Sequence, residues 1–369
     1  MNADKLCSAI KALPLKEEVC LMEVCGTHTM AIAKSGIKSM LPEKVKLLSG
    51  PGCPVCVTPA SEIDAILELS MRPDVILATY GDMVRVPGSV PGDNLARRRA
   101  LGAQVQVVYS PVDAVELAKQ NPEKEVVFLG VGFETTAPGT AAAALTASDK
   151  GVKNFTVFSM LKTVEPALRA LMAMDDFRVQ GLLCPGHVAT IIGEKGFAFL
   201  PEKYRMPAVI AGFEAEDILA AIWRLLTQLI NREPKLENEY KRAVSEPGNL
   251  LAQKMMTACF TAETTEWRGL GSIPKSGLKF RPEFSALDAE KRFPEVLGEE
   301  ARRIQKSARI TPACRCGDVI TGRISPAQCP LFGKRCLPED PVGPCMVSSE
   351  GACAAAYKYM DIDSFEENG

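Results

Sequence analysis

Between Val19 and about Ile230, eight short apolar runs alternate with segments of helical pattern. The runs are rich in β-branched residues and apolar on both faces, which is typical of strands in a parallel sheet that is covered on both sides. In chain order they are VCLMEV, VKLLS, DVILATY, VQVVY, EVVFLG, FTVFS, GLLC and PAVIAG. A chain in which such strands alternate with helices is expected to fold as an α/β protein.

Eight strands favour two sheets of four, divided near the polar stretch Lys119–Glu125. We therefore expect two similar small α/β domains with parallel, Rossmann-like sheets that face a cleft, over residues 21–122 and 123–240. A helical arm is expected before them over residues 1–20, and a loop-rich, cysteine-rich domain after them over residues 241–369. This last region has too little regular apolar patterning to form a large core by itself, so we expect it to need an additional cross-link for stability.

Two of the helical segments carry the same start signal, a hydroxyl residue followed by proline. Thr58 is the predicted N-cap of one helix, with Pro59 at its first position, and Ser110 and Pro111 repeat the arrangement. The hydroxyl accepts a hydrogen bond from the first turn, and proline lacks the N–H that would stay unpaired there.

The charge balance excludes several classes of partner. The 369 residues carry a formal net charge of −2 and are 47% hydrophobic and 24% charged, as in an ordinary globular protein. A chain so close to neutral has no general attraction for nucleic acid or an anionic membrane. The N-terminus lacks a signal-peptide core, and the longest apolar stretch, DILAAIWRLLTQLI, contains Arg224 and is too short to span a bilayer. We expect a cytoplasmic protein.

The 13 cysteines are unevenly distributed, because six of them fall in the last sixth of the chain. In a reducing compartment so many cysteines are hard to explain as structural disulfides. Metal ligands or redox thiols are the expected alternatives.

Four of the tail cysteines follow the spacing C-x14-C-x6-C-x16-C, at Cys314, Cys329, Cys336 and Cys353. Four thiolates in a loop-rich segment hold either a [4Fe–4S] cluster or a zinc ion. The tail lacks the C-x-x-C pairs of a zinc ribbon and contains a Cys-Pro pair, which favours the cluster. The two remaining tail cysteines are alternative ligands or a second dithiol; they are Cys316 and Cys345.

The other unusual residues follow predicted strands. The carboxyl ends of parallel strands meet at one edge of a sheet, where ligands bind, so these loops are expected to lie along such edges. They include both histidines of the chain and are, in order, CGTHT (Cys25–Thr29), GPGCPVC, YGDM (Asp82), GVGFETT (Glu134, Thr135, Thr136) and CPGHV (His187). GVGFETT is also compatible with ordinary turn chemistry, and His187 with a helix cap or a packing role.

The CGTHT loop places the thiol of Cys25 and the imidazole of His28 within one turn. The loop opens a helix, whose N-terminus is expected to lower the pKa of the thiol. A thiolate and an imidazole suit a soft or borderline metal such as Fe(II). Two ligands do not close a coordination shell, so an open metal site is expected, with a purely structural role as the alternative.

The segment GPGCPVC raises the choice between a metal clip, a redox pair and a turn that happens to contain thiols. Cys53 and Cys56 precede a predicted helix, which is expected to acidify them. A zinc site needs a second pair, and the nearest candidates are distant in the sequence. A redox dithiol is therefore favoured, while a zinc half-site stays open.

These blocks resemble the signature segments of the HypD family of [NiFe]-hydrogenase maturation factors. The resemblance rests on CGTHT, GPGCPVCVTP, GFETTAP, PGHV and GPCMVSSEGACAAAYKY, and extends from about Glu23 to Tyr359. It implies two α/β domains and an iron–sulfur domain. It also implies a stable complex with the chaperone HypC, on which an iron ion receives two cyanides and one carbon monoxide for delivery to the hydrogenase large subunit. HypE is the implied transient donor of cyanide, carried as a thiocyanate-like group.

The resemblance also implies a role for each site residue. Cys25 is the implied iron-binding thiolate with His28 beside it, and Cys53 and Cys56 form the implied redox dithiol. The implied cluster ligands are Cys314, Cys329, Cys336 and Cys353, with Cys316 an alternative to Cys314 and Cys345 a further alternate. The residues implied to line the cleft are Glu134, Thr135, Thr136 and His187.

Three other hypotheses compete with this one. The first is an oxidoreductase like ferredoxin–thioredoxin reductase, in which a [4Fe–4S] cluster and a dithiol reduce a partner protein. That hypothesis leaves Cys25 and His28 without a function. The second is a zinc-stabilised binding module, and the third is a nucleotide-dependent enzyme that uses GVGFETT but lacks a P-loop lysine. Whether the chain is an enzyme or a redox-active scaffold stays open at the level of the sequence.

Overall fold

The computed structural model describes residues 2–307 and 313–359. Parts of the predicted N-terminal arm and C-terminal domain therefore lie outside the described residues, at positions 1, 308–312 and 360–369. Within the described ranges, no helix combines the length and the apolar character needed to cross a bilayer.

All eight predicted strands are present, and the α/β fold class is confirmed. They are β1 (Val19–Glu23), β2 (Val45–Ser49), β3 (Val75–Thr79), β4 (Val105–Val107), β5 (Glu125–Gly132), β6 (Phe155–Leu161), β7 (Gly181–Pro185) and β8 (Ala208–Ala211). Three further strands follow them: β9 (Leu236–Asn238), β10 (Phe260–Trp267) and β11 (Gly271–Phe280).

The strands form two parallel sheets and one antiparallel hairpin. The first sheet has the order β2-β1-β7-β8-β9, the second has the order β4-β3-β5-β6, and β10 pairs with β11. The sheet division predicted near Lys119–Glu125 is wrong, because β3 and β5 lie on opposite sides of this stretch and pair with each other. The chain instead leaves the first sheet after β2, builds the second sheet, and returns through β7 beside β1. The local apolar pattern of these strands does not encode which sheet each joins.

Helices fill the connections between the strands, and short helices alternate with loops in the tail. They are α1 (Ala3–Lys11), α2 (Gly26–Lys34), α3 (Ile37–Met40), α4 (Pro54–Val57), α5 (Ala60–Leu69), α6 (Leu95–Ala100), α7 (Pro111–Gln120), α8 (Ala137–Asp149), α9 (Val164–Met172), α10 (Gly186–Ile192), α11 (Phe199–Tyr204), α12 (Ala215–Asn231), α13 (Leu250–Cys259), α14 (Ala289–Arg292), α15 (Pro294–Leu297), α16 (Glu299–Ser307), α17 (Cys316–Ile320), α18 (Pro344–Val347) and α19 (Ala352–Tyr359).

One of the two predicted helix starts is confirmed and the other is shifted by a residue. The Ser110 hydroxyl accepts a hydrogen bond from the Val112 N–H at the start of α7. Helix α5, by contrast, has Pro59 as its N-cap. Thr58 is not available for that role, because it ends α4 and its hydroxyl donates to the Pro54 carbonyl at 2.9 Å.

The core follows from strands that are covered on both faces. Every residue of β6 is buried, and the small residues of α8 let this helix pack closely over the second sheet. Large aromatic side chains such as Phe128 and Phe158 are fully buried here. Each stabilises the fold by roughly 1.5–3 kcal/mol relative to an exposed side chain.

The cysteine-rich tail shares a core with both sheets. Ile320, Phe332 and Met346 of the tail belong to the same buried cluster as Met22 of β1 and Leu129 of β5. Helices α17 and α18 pack against α4, and α19 packs against α2. The tail is therefore anchored on the loops that follow β1 and β2.

Candidate functional site

The CGTHT and GPGCPVC loops lie side by side because β1 and β2 are neighbours in the first sheet. The Gly26 N–H donates to the Gly52 carbonyl at 3.1 Å, which joins the two loops through their backbones. A Cβ atom on Gly52 would overlap the backbone of Cys25, so only glycine permits this approach. The backbone of Cys25 and the residue that precedes Cys53 are thus held in direct contact.

Cys25 is the N-cap of α2 and is buried. Burial raises the pKa of its thiol to about 12, and the hydrogen bond from the His28 N–H opposes this only in part. The predicted lowering of this pKa is therefore wrong, because desolvation outweighs the helix N-terminus. The backbone N–H of Cys25 donates to the buried carboxyl of Glu23 at 3.1 Å, and the Thr29 hydroxyl donates to the other oxygen at 2.5 Å.

His28 is fully buried and has one free ring nitrogen. Its Nε2 lies 2.9 Å from the Gly212 carbonyl, which can only accept a hydrogen bond, so Nε2 carries the proton. Its Nδ1 has no hydrogen-bond partner among the described residues. Burial lowers the pKa of the imidazole to about 4. The ring is therefore neutral, with an unshared lone pair on Nδ1.

Both histidines lie against the same aromatic ring, that of Phe213. The ring of His28 lies 4.7 Å from that of Phe213, and the exposed His187 ring lies 3.9 Å from it. His187 is the second residue of α10, close to the predicted helix start. Phe213 follows β8 at the same sheet edge and was not singled out from the sequence as a site residue.

Cys53 and Cys56 form a disulfide at the start of α4. Both are buried, and the Cys56 N–H donates to the sulfur of Cys53 at 3.1 Å. Cys53 directly follows Gly52, which is hydrogen-bonded to the CGTHT loop, and α4 is a single turn that packs against α17 and α18 of the tail.

The tail cysteines gather into one group of sulfurs. The Sγ atoms of Cys316 and Cys345 lie 2.6 Å apart. Hydrogen bonds between thiols link Cys314 to Cys316 and Cys345 to Cys353. Cys336 completes the group, because its thiol is close enough to interact electrostatically with those of Cys353 and Cys329.

A [4Fe–4S] cluster would need four thiolates from this group. Among residues 2–307 and 313–359, no three His, Cys, Asp or Glu side chains already converge as a closed metal site. The donor chemistry nevertheless fits, because six thiols share one largely buried region and a cluster takes four. Beside this region, where Gly269 packs on Gly317, Nη2 of Arg268 is buried and has no hydrogen-bond partner among the described residues.

A cavity of about 590 Å³ opens beside α4. Thr135 and Thr136 line it, together with Val55 of α4 and Asp82. Part of its wall comes from the tail loop Ser348–Glu350. The cavity therefore joins the GFETT and YGDM loops of the second sheet to the CPVC segment and the tail.

The tail loop is bonded to two of the strand-end loops. Asp82 accepts hydrogen bonds from the hydroxyl groups of Ser348 and Ser349, each at 3.1 Å. The carboxylate of Glu350 accepts one from the Thr27 hydroxyl at 2.7 Å. These contacts hold the segment between Cys345 and Cys353 against the CGTHT loop.

Glu134 does not lie among the residues that line this cavity. It is buried, and one of its oxygens accepts a hydrogen bond from the Val164 N–H at 2.8 Å, at the start of α9. Its other oxygen has no partner among the described residues. Burial raises the pKa of this carboxyl to about 7.

Two residues at the site carry no strong sequence signal. Arg268 lies in the turn of the β10–β11 hairpin and contacts α4, yet nothing in its neighbourhood of the sequence suggests this role. Glu350 falls within the segment SSEGAC between two tail cysteines, which is the signal that points to it. Long-range packing brings Arg268 to the end of the CPVC helix and Glu350 to the CGTHT loop.

The fold and the site together define a two-sheet α/β protein in which the CPVC helix α4 packs against the cysteine-rich tail and follows a residue that is hydrogen-bonded to the CGTHT loop. Known sequences give the family. The HypD model, described as "Hydrogenase formation hypA family", matches residues 1–360. The hydrogenase maturation factors HypD of Escherichia coli (strain K12) and of Azotobacter vinelandii are 44% and 45% identical to this chain over 345 and 350 residues. Each alignment covers 93% of this chain and 90% of the relative. The chain belongs to the HypD family of hydrogenase maturation factors.

Proposed function

We propose that this chain is a redox-active scaffold on which the Fe(CN)2(CO) group of a [NiFe] hydrogenase is assembled in complex with HypC. HypE supplies the cyanide as a thiocyanate-type group, and the loaded iron passes to the hydrogenase large subunit. The observation that supports this proposal best is that the CPVC segment packs against α17 and α18 of the cysteine-rich tail and directly follows Gly52, which is hydrogen-bonded to the CGTHT loop. Sulfur groups that exchange electrons need such proximity.

In this proposal the iron is the cargo, and Cys25 holds it as a thiolate. Binding of the metal displaces the proton of the buried thiol. His28 stands three residues further along, with an unshared lone pair on Nδ1. A soft thiolate and a neutral imidazole suit the low-spin Fe(II) that cyanide and carbon monoxide favour.

The tail cysteines divide into two functional sets. The short distance between Cys316 and Cys345 suits a second dithiol. A [4Fe–4S] cluster would then be held by Cys314, Cys329, Cys336 and Cys353. When bound, such a cluster supplies electrons one at a time.

The CPVC pair converts this supply into a two-electron step. Its disulfide takes up two electrons and two protons to give two thiols. Cleavage of the S–CN bond consumes two electrons and one proton and yields a thiol and cyanide. Oxidation of the dithiol provides those two electrons and returns the disulfide, with one proton released to solvent. Cys53 and Cys56 sit between the CGTHT loop and the tail, where this exchange is needed.

Replacement of Cys25 tests the iron site directly. In Cys25→Ala, purified without oxygen together with HypC, we expect the infrared bands of iron-bound cyanide and carbon monoxide to disappear, because the iron loses its thiolate. The iron and sulfide content of the tail cluster should stay unchanged. Cys259→Ala is the matched control, since it removes another buried thiol remote from the site. Retention of the bands in Cys25→Ala would exclude Cys25 as the iron ligand.

The reductase hypothesis is the second candidate, and the disulfide beside the tail cysteines favours it. In that case the reduced protein transfers two electrons to a partner disulfide and needs no iron at Cys25. Cys25→Ala would then reduce the partner as fast as the unaltered protein does, whereas Cys53→Ser would not. Full hydrogenase maturation by Cys53→Ser would count against both candidates.

A further inference from the structure

Arg268 connects the β10–β11 hairpin to the CPVC helix. Its backbone N–H donates to the Val57 carbonyl at 2.8 Å, and its Nε donates to the Thr58 carbonyl at 3.0 Å. Both carbonyls lie at the carboxyl-terminal end of α4, where helix backbones leave acceptors unpaired and favour a positive charge. One side of the Arg268 side chain is therefore fixed to the helix that carries the disulfide.

The same turn contacts the first tail cysteines. Gly269 packs on the backbone of Gly317, and a Cβ atom on Gly269 would lie 2.7 Å from the Gly317 Cα. Gly317 follows Cys316 directly, so the turn that carries Arg268 lies against the backbone next to a tail thiol. Arg268 is thus placed between the CPVC segment and the tail sulfurs.

The guanidinium has an unused donor in this position. Its Nη2 is buried and has no hydrogen-bond partner among the described residues. A buried cationic donor without an acceptor is costly, so such a group is expected to have an anionic partner in the working protein. Thiolate ligands and a cluster with a net negative charge are partners of that kind.

We propose that Arg268 raises the reduction potential of a [4Fe–4S] cluster in the tail and holds its ligand loop against α4. This inference rests on the proposed function, because it requires the cluster. Reduction adds one electron and therefore one negative charge, which a nearby cation and a hydrogen bond to sulfur both stabilise. Arg268 influences electron transfer indirectly, through the potential of the cluster and through the position of α4. It is therefore a positioning residue.

The test is a redox titration of the cluster in the full chain, followed by electron paramagnetic resonance. In Arg268→Met we expect at least a tenfold fall in the equilibrium constant for one-electron reduction, which corresponds to a midpoint potential about 59 mV lower. Arg268→Lys keeps the charge and should shift less. Arg224→Met is the matched control: it removes an arginine on α12, paired with Glu237, and should leave the potential unchanged.

Iron and sulfide content are measured on every variant. An unchanged potential in Arg268→Met with a full cluster would overturn the inference, and so would equal shifts in the Met and Lys variants. If Arg268→Met does not retain a full cluster, Arg268→Lys is compared with Arg268→Gln, and equal potentials in that pair overturn it. A wild-type protein that binds no cluster would overturn the proposed function and this inference with it. A wild-type protein with a full cluster and an unchanged potential in the Arg268 variant would overturn this inference alone.

Discussion

Cys25 and His28 are both held in their neutral forms by burial. The pKa of the Cys25 thiol is about 12, and that of the His28 imidazole is about 4. At neutral pH the thiol keeps its proton and the imidazole has lost its second one. In the proposed function, the iron brings the positive charge to these two neutral groups and displaces the proton of the thiol.

Glu134 shows the same effect of burial at a position where it can be tested without a metal. Below pH 4.5 the carboxyl is protonated in both folded and unfolded chains, while between pH 4.5 and about 7 only the folded chain retains the proton. The stabilisation relative to an ionised carboxyl is therefore complete at low pH and is lost as pH rises through about 7. At about 1.4 kcal/mol per pKa unit, the total is on the order of 3 kcal/mol.

We expect Glu134→Gln to remove this pH dependence, because glutamine still accepts the hydrogen bond from the Val164 N–H but does not ionise. The free energy of unfolding in urea, measured from pH 5 to pH 8.5, should fall more steeply for the unaltered protein than for the variant. Glu202→Gln, which removes an exposed carboxyl on α11, is the control. Parallel pH profiles for the unaltered protein and Glu134→Gln would contradict the prediction.

At this scale the sequence locates functional residues better than it describes their environment. The position of Cys25 at a helix start was predicted correctly, but the direction of its pKa shift was not. The shift depends on how deeply the thiol is buried, and that depends on the tail that covers the loop. Phe213 and Arg268 were missed for the same reason. Their importance comes from what packs against them across the fold.

At the scale of elements, the edge formed by β1 and β2 determines the site. The two loops that carry Cys25 and the CPVC pair follow neighbouring strands, so their contact could be anticipated from strand order alone. The eight strands were likewise predictable from their apolar pattern, and the start of α7 from its capping residues. The sheet membership of each strand was not, because β3 to β6 have the same apolar pattern as the strands of the first sheet.

The contact between these loops predicts a strong requirement for glycine at position 52. We expect Gly52→Ala to lower the free energy of unfolding by about 1–3 kcal/mol, because the new methyl group overlaps the backbone of Cys25. The measurement is urea unfolding followed by circular dichroism.

The matched control is Gly139→Ala in α8, where the nearest atom to the added Cβ is 3.9 Å away. Alanine there should stabilise the helix by roughly 0.5–1 kcal/mol. Equal effects of the two substitutions would show that the loops are not in close contact.

At the scale of the whole molecule, the second sheet is inserted between β2 and β7 of the first, and the tail returns to both. One buried cluster contains side chains from β1, β5, the hairpin and the tail. Because the apolar side chains of the tail are buried against the sheets, the tail cannot move far from α4 without exposing apolar surface. The fixed positions of the sulfur groups therefore follow from core packing as well as from their own bonds.

This shared core predicts that the tail and the sheets unfold together. Phe332 lies in the tail and is buried in the common cluster, so Phe332→Ala should lower the free energy of unfolding by about 3–5 kcal/mol. During unfolding in urea, circular dichroism measures mainly the helices that pack on the two sheets. Tryptophan fluorescence measures in part the environment of Trp267, which packs in the same cluster. Both signals should shift to a lower midpoint by the same amount, because loss of the tail exposes the core beneath it. An early fluorescence transition with an unchanged circular dichroism midpoint would show instead that the tail folds on its own, and α4 would then be free to separate from the tail cysteines.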